Sequence, residues 1–99
     1  MKRPVVFTPG ASNDLVELYD YIAAQSSPER AMRYILRIER TCTTLENLPE
    51  RGTLRADIRP GLRVMGFERR VLIAFQVKPD SVAILRILYG GRNLEQAFS

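Results

Sequence analysis

The stretch VAILRILYGGR, Val82 to Arg92, decides how this chain is read. Its first eight residues are aliphatic, β-branched or aromatic except for Arg86, and Gly90-Gly91 then interrupt the run, which is the pattern of a core strand ended by a turn. Simple alternation places Ala83, Leu85, Ile87 and Tyr89 on one face, and Val82, Ile84, Arg86 and Leu88 on the other. If one face lies under helices and carries Leu85 and Ile87, Arg86 projects from an uncovered face among apolar neighbours, and such a patch awaits another chain. The alternative is a guanidinium bonded to a nearby carboxylate or to carbonyls at the sheet edge.

Two further strand candidates precede it, Leu62 to Phe67 and Val71 to Val77. The links Glu68-Arg69-Arg70 and Lys78-Pro79-Asp80-Ser81 are short enough to dictate an antiparallel meander. Upstream, Glu50 to Gly61 is a polar connector with arginines and turn residues. The first half of the chain has a different period. Val5-Val6-Phe7-Thr8 reads as a short strand that stops at Pro9, with Thr8 suited to cap a helix and Pro9 to its first position. Leu15, Leu18 and Ile22 then recur at helical spacing. Ser27-Pro28-Glu29 caps and starts a second helix, in which Ala31, Ile35, Ile38, Cys42 and Leu45 form a seam. Helices joined by so short a connector lie antiparallel. The expected architecture is α+β, in the order β-α-α-β-β-β, with a helical hairpin packed on one face of a small, mainly antiparallel sheet. Ninety-nine residues allow a single domain, 1–99.

Composition removes several function classes. The chain has no histidine, so the usual neutral-pH base and the commonest nitrogen ligand for metals are missing. No cofactor or metal is expected. The single cysteine, Cys42, lies on the helical seam and reads as a small core side chain. No segment is apolar for long enough to be a signal sequence or a membrane span, which points to the cytoplasm.

The net charge of +4 is uneven: residues 50–99 carry nine Lys/Arg against five Asp/Glu, whereas residues 1–49 are balanced. Arg51, Arg55, Arg59, Arg63, Arg69 and Arg70 face only Asp57 and Glu68 within their stretch. Such a cluster either attracts an acidic partner or is a solvated surface in an arginine-rich chain.

The element order, together with Thr8-Pro9 leading into DLVELYDYIA (Asp14 to Ala23), DIRPGLRVMGF (Asp57 to Phe67) and ILRILYGGRNLE (Ile84 to Glu95), resembles the RelE/ParE superfamily of type II toxins, in its ParE-like branch. The resemblance implies a toxin that a cognate acidic antitoxin neutralises and that inhibits DNA gyrase by binding. It implies no catalysis, no direct DNA binding of its own, no membrane, and a hetero-oligomer with the antitoxin. On the open sheet face, Arg59, Arg63 and Arg86 are the expected ionic anchors for the antitoxin, with Val82, Ile84 and Leu88 as apolar contacts. Arg86, Tyr89 and Arg92 are the expected target-binding residues.

Tyr89 stands where ParE-like chains commonly carry histidine. In RelE-like relatives a tyrosine near the C-terminus joins basic residues in cutting messenger RNA on the ribosome, so an mRNA endonuclease is the alternative. A divergent toxin that only binds its antitoxin is another. A nuclease here would have to use Arg63, Arg86, Arg92 and Tyr89, with Glu68. Arginine stabilises charge but, with a pKa above about 12, shuttles protons poorly.

Overall fold

The computed structural model describes residues 3–99. β1 (Val5–Phe7) runs into α1 (Pro9–Gln25), α2 (Pro28–Thr43) and a single 3-10 turn at Thr44–Glu46; β2 (Thr53–Leu54), β3 (Leu62–Phe67), β4 (Val71–Val77), β5 (Val82–Tyr89) and a C-terminal turn of helix, α3 (Leu94–Ala97), follow. The caps are those the sequence predicts. The Thr8 hydroxyl accepts from the Ala11 amide, Ser27 accepts from the Arg30 amide, and Pro9 and Pro28 open the two helices.

The five strands form one sheet in the order β1-β5-β4-β3-β2. β1 is parallel to β5 and every other pair is antiparallel. β2 lies inside the stretch expected to be plain connector. Gly52 leads into it, with φ +77° and a position where a Cβ would stand 2.2 Å from the Val64 carbonyl oxygen, so only glycine fits.

β5 departs from simple alternation. Ala74 of β4 faces Arg86, but the next residue, Phe75, faces Ile84, so Leu85 is an extra residue on β5, a β-bulge. A bulge resets the alternation. Val82 and Ile84 before it, and Ile87 and Tyr89 after it, therefore all belong to the face under α1 and α2. Leu85 moves to the opposite face with Leu88. The expected assignment of Val82 and Ile84 to an open face, and of Leu85 to the covered one, is corrected by this single inserted residue.

The main core lies between the helical hairpin and the sheet: Leu15, Leu18, Ile38, Cys42 and Leu45 meet Phe67, Ile73, Phe75, Ile84 and Ile87. Cys42 is fully buried, as its seam position predicts, and burial pushes its thiol pKa up to about 12. The second sheet face is not bare. α3, capped by the Asn93 side chain, lays Leu94 onto Leu62, Ala74 and Leu88, while Ile58 and Phe98 flank this smaller cluster. That face stays open around Gly66, where a Cβ would meet nothing within 4 Å.

The β3–β4 turn holds Glu68 at φ 47° and Arg69 at φ 64°. Asparagine and glycine suit that left-handed region, and each other residue placed there costs about 1–2 kcal/mol. We therefore predict that Arg69→Gly raises stability by roughly 1 kcal/mol in urea denaturation, with an unchanged m-value. No gain would mean that the turn is relaxed in solution.

Candidate functional site

The residues expected to form one binding surface are separated by the fold. Arg86 sits opposite Ala74, but its guanidinium passes over the edge of β5 that β1 leaves free beyond Phe7 and reaches α1. There it makes a two-pronged ion pair with Asp14, Nε to Oδ2 at 2.7 Å and Nη2 to Oδ1 at 2.9 Å. Asp14 also accepts the Ile87 amide at 2.8 Å, and its side chain is only 2% exposed. The carboxylate thus stands in for the missing neighbouring strand. Gly10 permits this approach, since a Cβ there would press on the Leu85 carbonyl oxygen at 3.3 Å and the Arg86 Cδ at 3.4 Å.

Arg86 is therefore not a free guanidinium, and its carboxylate-bonded alternative is the observed state. Val82, Ile84 and Leu88 are likewise buried within the chain and offer no contact area as it stands. Of the remaining expected residues, Arg59 is exposed, with its guanidinium 5.4 Å from the centre of the Phe98 ring. Arg63 is half-buried and donates to the Glu50 carbonyl at 3.3 Å. Arg92 is exposed and lies 3.9 Å from Glu17. Tyr89 is half-buried in an aromatic group, its ring centre 5.9 Å from that of Tyr21 and 6.4 Å from that of Tyr34.

Two features escaped the sequence reading. The first is a basic groove of about 590 Å³ along the flank of α2 that faces the β3–β4 turn, lined by Arg30, Arg33, Arg37, Arg70, Tyr34 and Tyr89 among others. Arg30, Arg33 and Arg37 follow at intervals of three and four, so helical geometry sets them in one stripe. That spacing was the available signal, masked by the balanced charge of the first half. Glu68 reaches in from the turn and pairs in two-pronged fashion with Arg37, at 3.0 and 2.9 Å. The ion pair holds the Glu68 carboxyl below its ordinary range. Tyr34 lies beneath, with the Arg37 guanidinium 5.0 Å from its ring centre. Its hydroxyl is buried without a hydrogen-bond partner among the described residues, and burial first, then the charge of Glu68, raises its pKa.

The second feature is an apolar groove of about 390 Å³ between α1 and α2, lined by Phe7, Leu15, Val16, Tyr19, Met32 and Ile35. Val16 is 59% exposed and Met32 47%, and Leu36 is exposed beside them. No group of three His, Cys, Asp or Glu side chains able to hold a metal ion occurs among the described residues, nor is any described helix long and apolar enough to cross a membrane.

The family model described as ParE toxin of type II toxin-antitoxin system, parDE, matches residues 5–94. Toxin ParE3 of Caulobacter vibrioides is 31% identical over 90 residues, which span 91% of this chain and 89% of that protein. Among solved structures, a chain from the chromosomal ParDE TA system of P. aeruginosa superposes with a TM-score of 0.79 at 28% identity, covering 90% of this chain and 97% of that one. The α+β hairpin-on-sheet fold and these matches define a small toxin of the RelE/ParE superfamily. Within it, the chain belongs to the ParE toxin family of type II toxin–antitoxin systems.

Removing one partner from a buried ion pair leaves the other uncompensated, so Asp14→Ala, which also strands the Ile87 amide, is expected to cost about 3–5 kcal/mol in chemical denaturation. A cost below about 1 kcal/mol would show that water replaces the carboxylate. Cys42 should resist thiol reagents in the folded protein and react at once in denaturant; fast reaction in native buffer would contradict its burial.

Proposed function

We propose that the chain acts as a non-enzymatic toxin, which a cognate antitoxin neutralises and which inhibits DNA gyrase by binding. The observation that carries the reading is that Arg63, Arg86 and Arg92, the arginines an RNA-cleaving site was expected to use, do not join Tyr89 and Glu68 in the groove those two share. Arg63 faces Phe75 and Tyr89 faces Val71, four residues apart along β4, about 13 Å at a strand's rise of ~3.3 Å per residue. Arg86 has its charge compensated by Asp14, and Arg92 stands beside Glu17. Cleavage needs a base, an acid and charge stabilisation converging on one phosphate. Tyr89 packs against Tyr21 and Tyr34, and no described carboxylate bonds it as a proton acceptor. Binding makes no such demand, and a gyrase-directed role is what the likeness to ParE toxins favours.

For the antitoxin, the buried state of Val82, Ile84 and Leu88 moves the expected seat away from the middle of the second sheet face. The apolar groove between α1 and α2 suits it better: Val16 and Met32 on its lining are large apolar side chains left in water, with Leu36 exposed one turn beyond Met32, and covering them is favourable at about 25 cal/mol per Å². Arg59 remains available as an ionic contact at the edge of the sheet.

Purified protein should block supercoiling by gyrase and leave ribosome-bound messenger intact; intact supercoiling with cut messenger would reverse the reading in favour of the endonuclease. Val16→Asp with Met32→Asp should leave the fold and the toxicity of induced protein in place while abolishing rescue by the antitoxin. Full rescue of that double variant would remove the apolar groove from the interface.

A further inference from the structure

We propose that the arginine groove on the outer flank of α2 is a receptor for a carboxylate carried by an acidic segment of the partner protein, and that Glu68 occupies it as a built-in stand-in until that segment arrives. The inference rests on the binding reading above and adds to it a second contact, ionic where the first is apolar.

Three observations carry it. Arg30, Arg33 and Arg70 line the groove with Arg37, yet none of these three makes an ion pair among the described residues. Like charges gathered around one groove repel, and an incoming anion relieves that repulsion as well as forming its own bonds. The chemistry the groove accepts is already displayed, because a carboxylate, that of Glu68, sits on Arg37 in the two-pronged geometry that planar guanidinium and planar carboxylate share. The buried Tyr34 hydroxyl has no partner among the described residues, so the groove also holds an unused donor beneath the Arg37 side chain.

The arm that presents Glu68 is suited to give way. Glu68 and Arg69 both hold positive φ, a conformation that neither side chain favours. Both members of the Arg37–Glu68 pair are about half exposed, at 47% and 45%, so the pair is open to competition from solvent and from other anions. A partner carboxylate that takes Arg37 displaces Glu68 toward solvent, and the shift of Arg37 uncovers the Tyr34 hydroxyl to bond the same anion. Planar, two-pronged seating favours a carboxylate over the tetrahedral phosphate of a nucleic acid.

The test uses the full chain and a fluorescein-labelled oligoglutamate peptide, with an oligothymidylate of similar charge as competitor. Binding should weaken with salt and fall by about tenfold or more in Arg33→Glu with Arg70→Glu, and far less in the charge-matched Arg51→Glu with Lys78→Glu, which lies outside the groove. Glu68→Asn, which suits the turn and removes the internal competitor, should bind the peptide several-fold more tightly. Tyr34→Phe should bind it more weakly with no loss of thermal stability, since that hydroxyl bonds no described residue in the free protein. Equal losses in both charge-reversed variants, an unchanged Glu68→Asn, or tighter binding of oligothymidylate than of peptide would each overturn the proposal. Growth arrest by the induced chain is scored separately: arrest without peptide binding removes the groove alone, whereas peptide binding without arrest removes the toxin reading alone.

Discussion

The carboxylate of Asp14 ties the two halves of this protein together. It lies on α1, receives the guanidinium of Arg86 and the amide of Ile87 from β5, and is nearly sealed from water. β1 is only three residues long, so most of β5 would present bare backbone donors and acceptors along that edge. Thr8 satisfies those nearest the end of β1, since its amide donates to the Ile84 carbonyl and its hydroxyl lies within bonding distance of the Ile84 and Leu85 carbonyls. Asp14 satisfies the next. The N-terminal turns of α1 therefore finish the sheet edge that β1 begins, which fixes the helix against the sheet by polar contacts as well as by the core.

Much of this was legible in the chain. The helix starts at Thr8-Pro9 and Ser27-Pro28, the seam from Ala31 to Leu45 and the three long strands follow from local rules about caps, periodicity and turns. What local rules miss is long-range. Arg86 finds its carboxylate 72 residues away in sequence, and nothing near Arg86 announces that partner. The bulge at Leu85 carries no glycine or other mark, yet it inverts the face of Val82 and Ile84, since one inserted residue shifts a period of two by half a cycle. The short α3 was legible as a turn of helix, but its seat on Leu62, Ala74 and Leu88 depends on how Gly90-Gly91 reverse the chain.

For the binding surfaces, the second half of the sequence drew attention by its net charge, and its arginines proved to be scattered: Arg55 on Asp57, Arg63 on a carbonyl, Arg59 over Phe98. The concentrated basic surface arises instead where α2 meets the β3–β4 turn, a place with three arginines from one half and Arg70 from the other. Summed charge per segment hides such a surface; helical spacing reveals half of it, and only the fold supplies the rest. The two grooves lie on different flanks of α2, so a partner that fills both has to reach around that helix. This is natural for an extended or newly ordered segment, which can wrap a small domain without a large rigid body of its own.

The parallel pairing of Val5–Phe7 with Val82–Ile84 has a temporal meaning as well. A ribosome delivers the first strand long before β5, which then takes its place between β1 and β4. Until then α1 and α2 have a hairpin to form but no finished floor to settle on, and distant pairings of this kind close late. A sheet built in this way closes late and in one step, when β5 joins β1 to β4, so the edge that Thr8 and Asp14 complete does not exist before then.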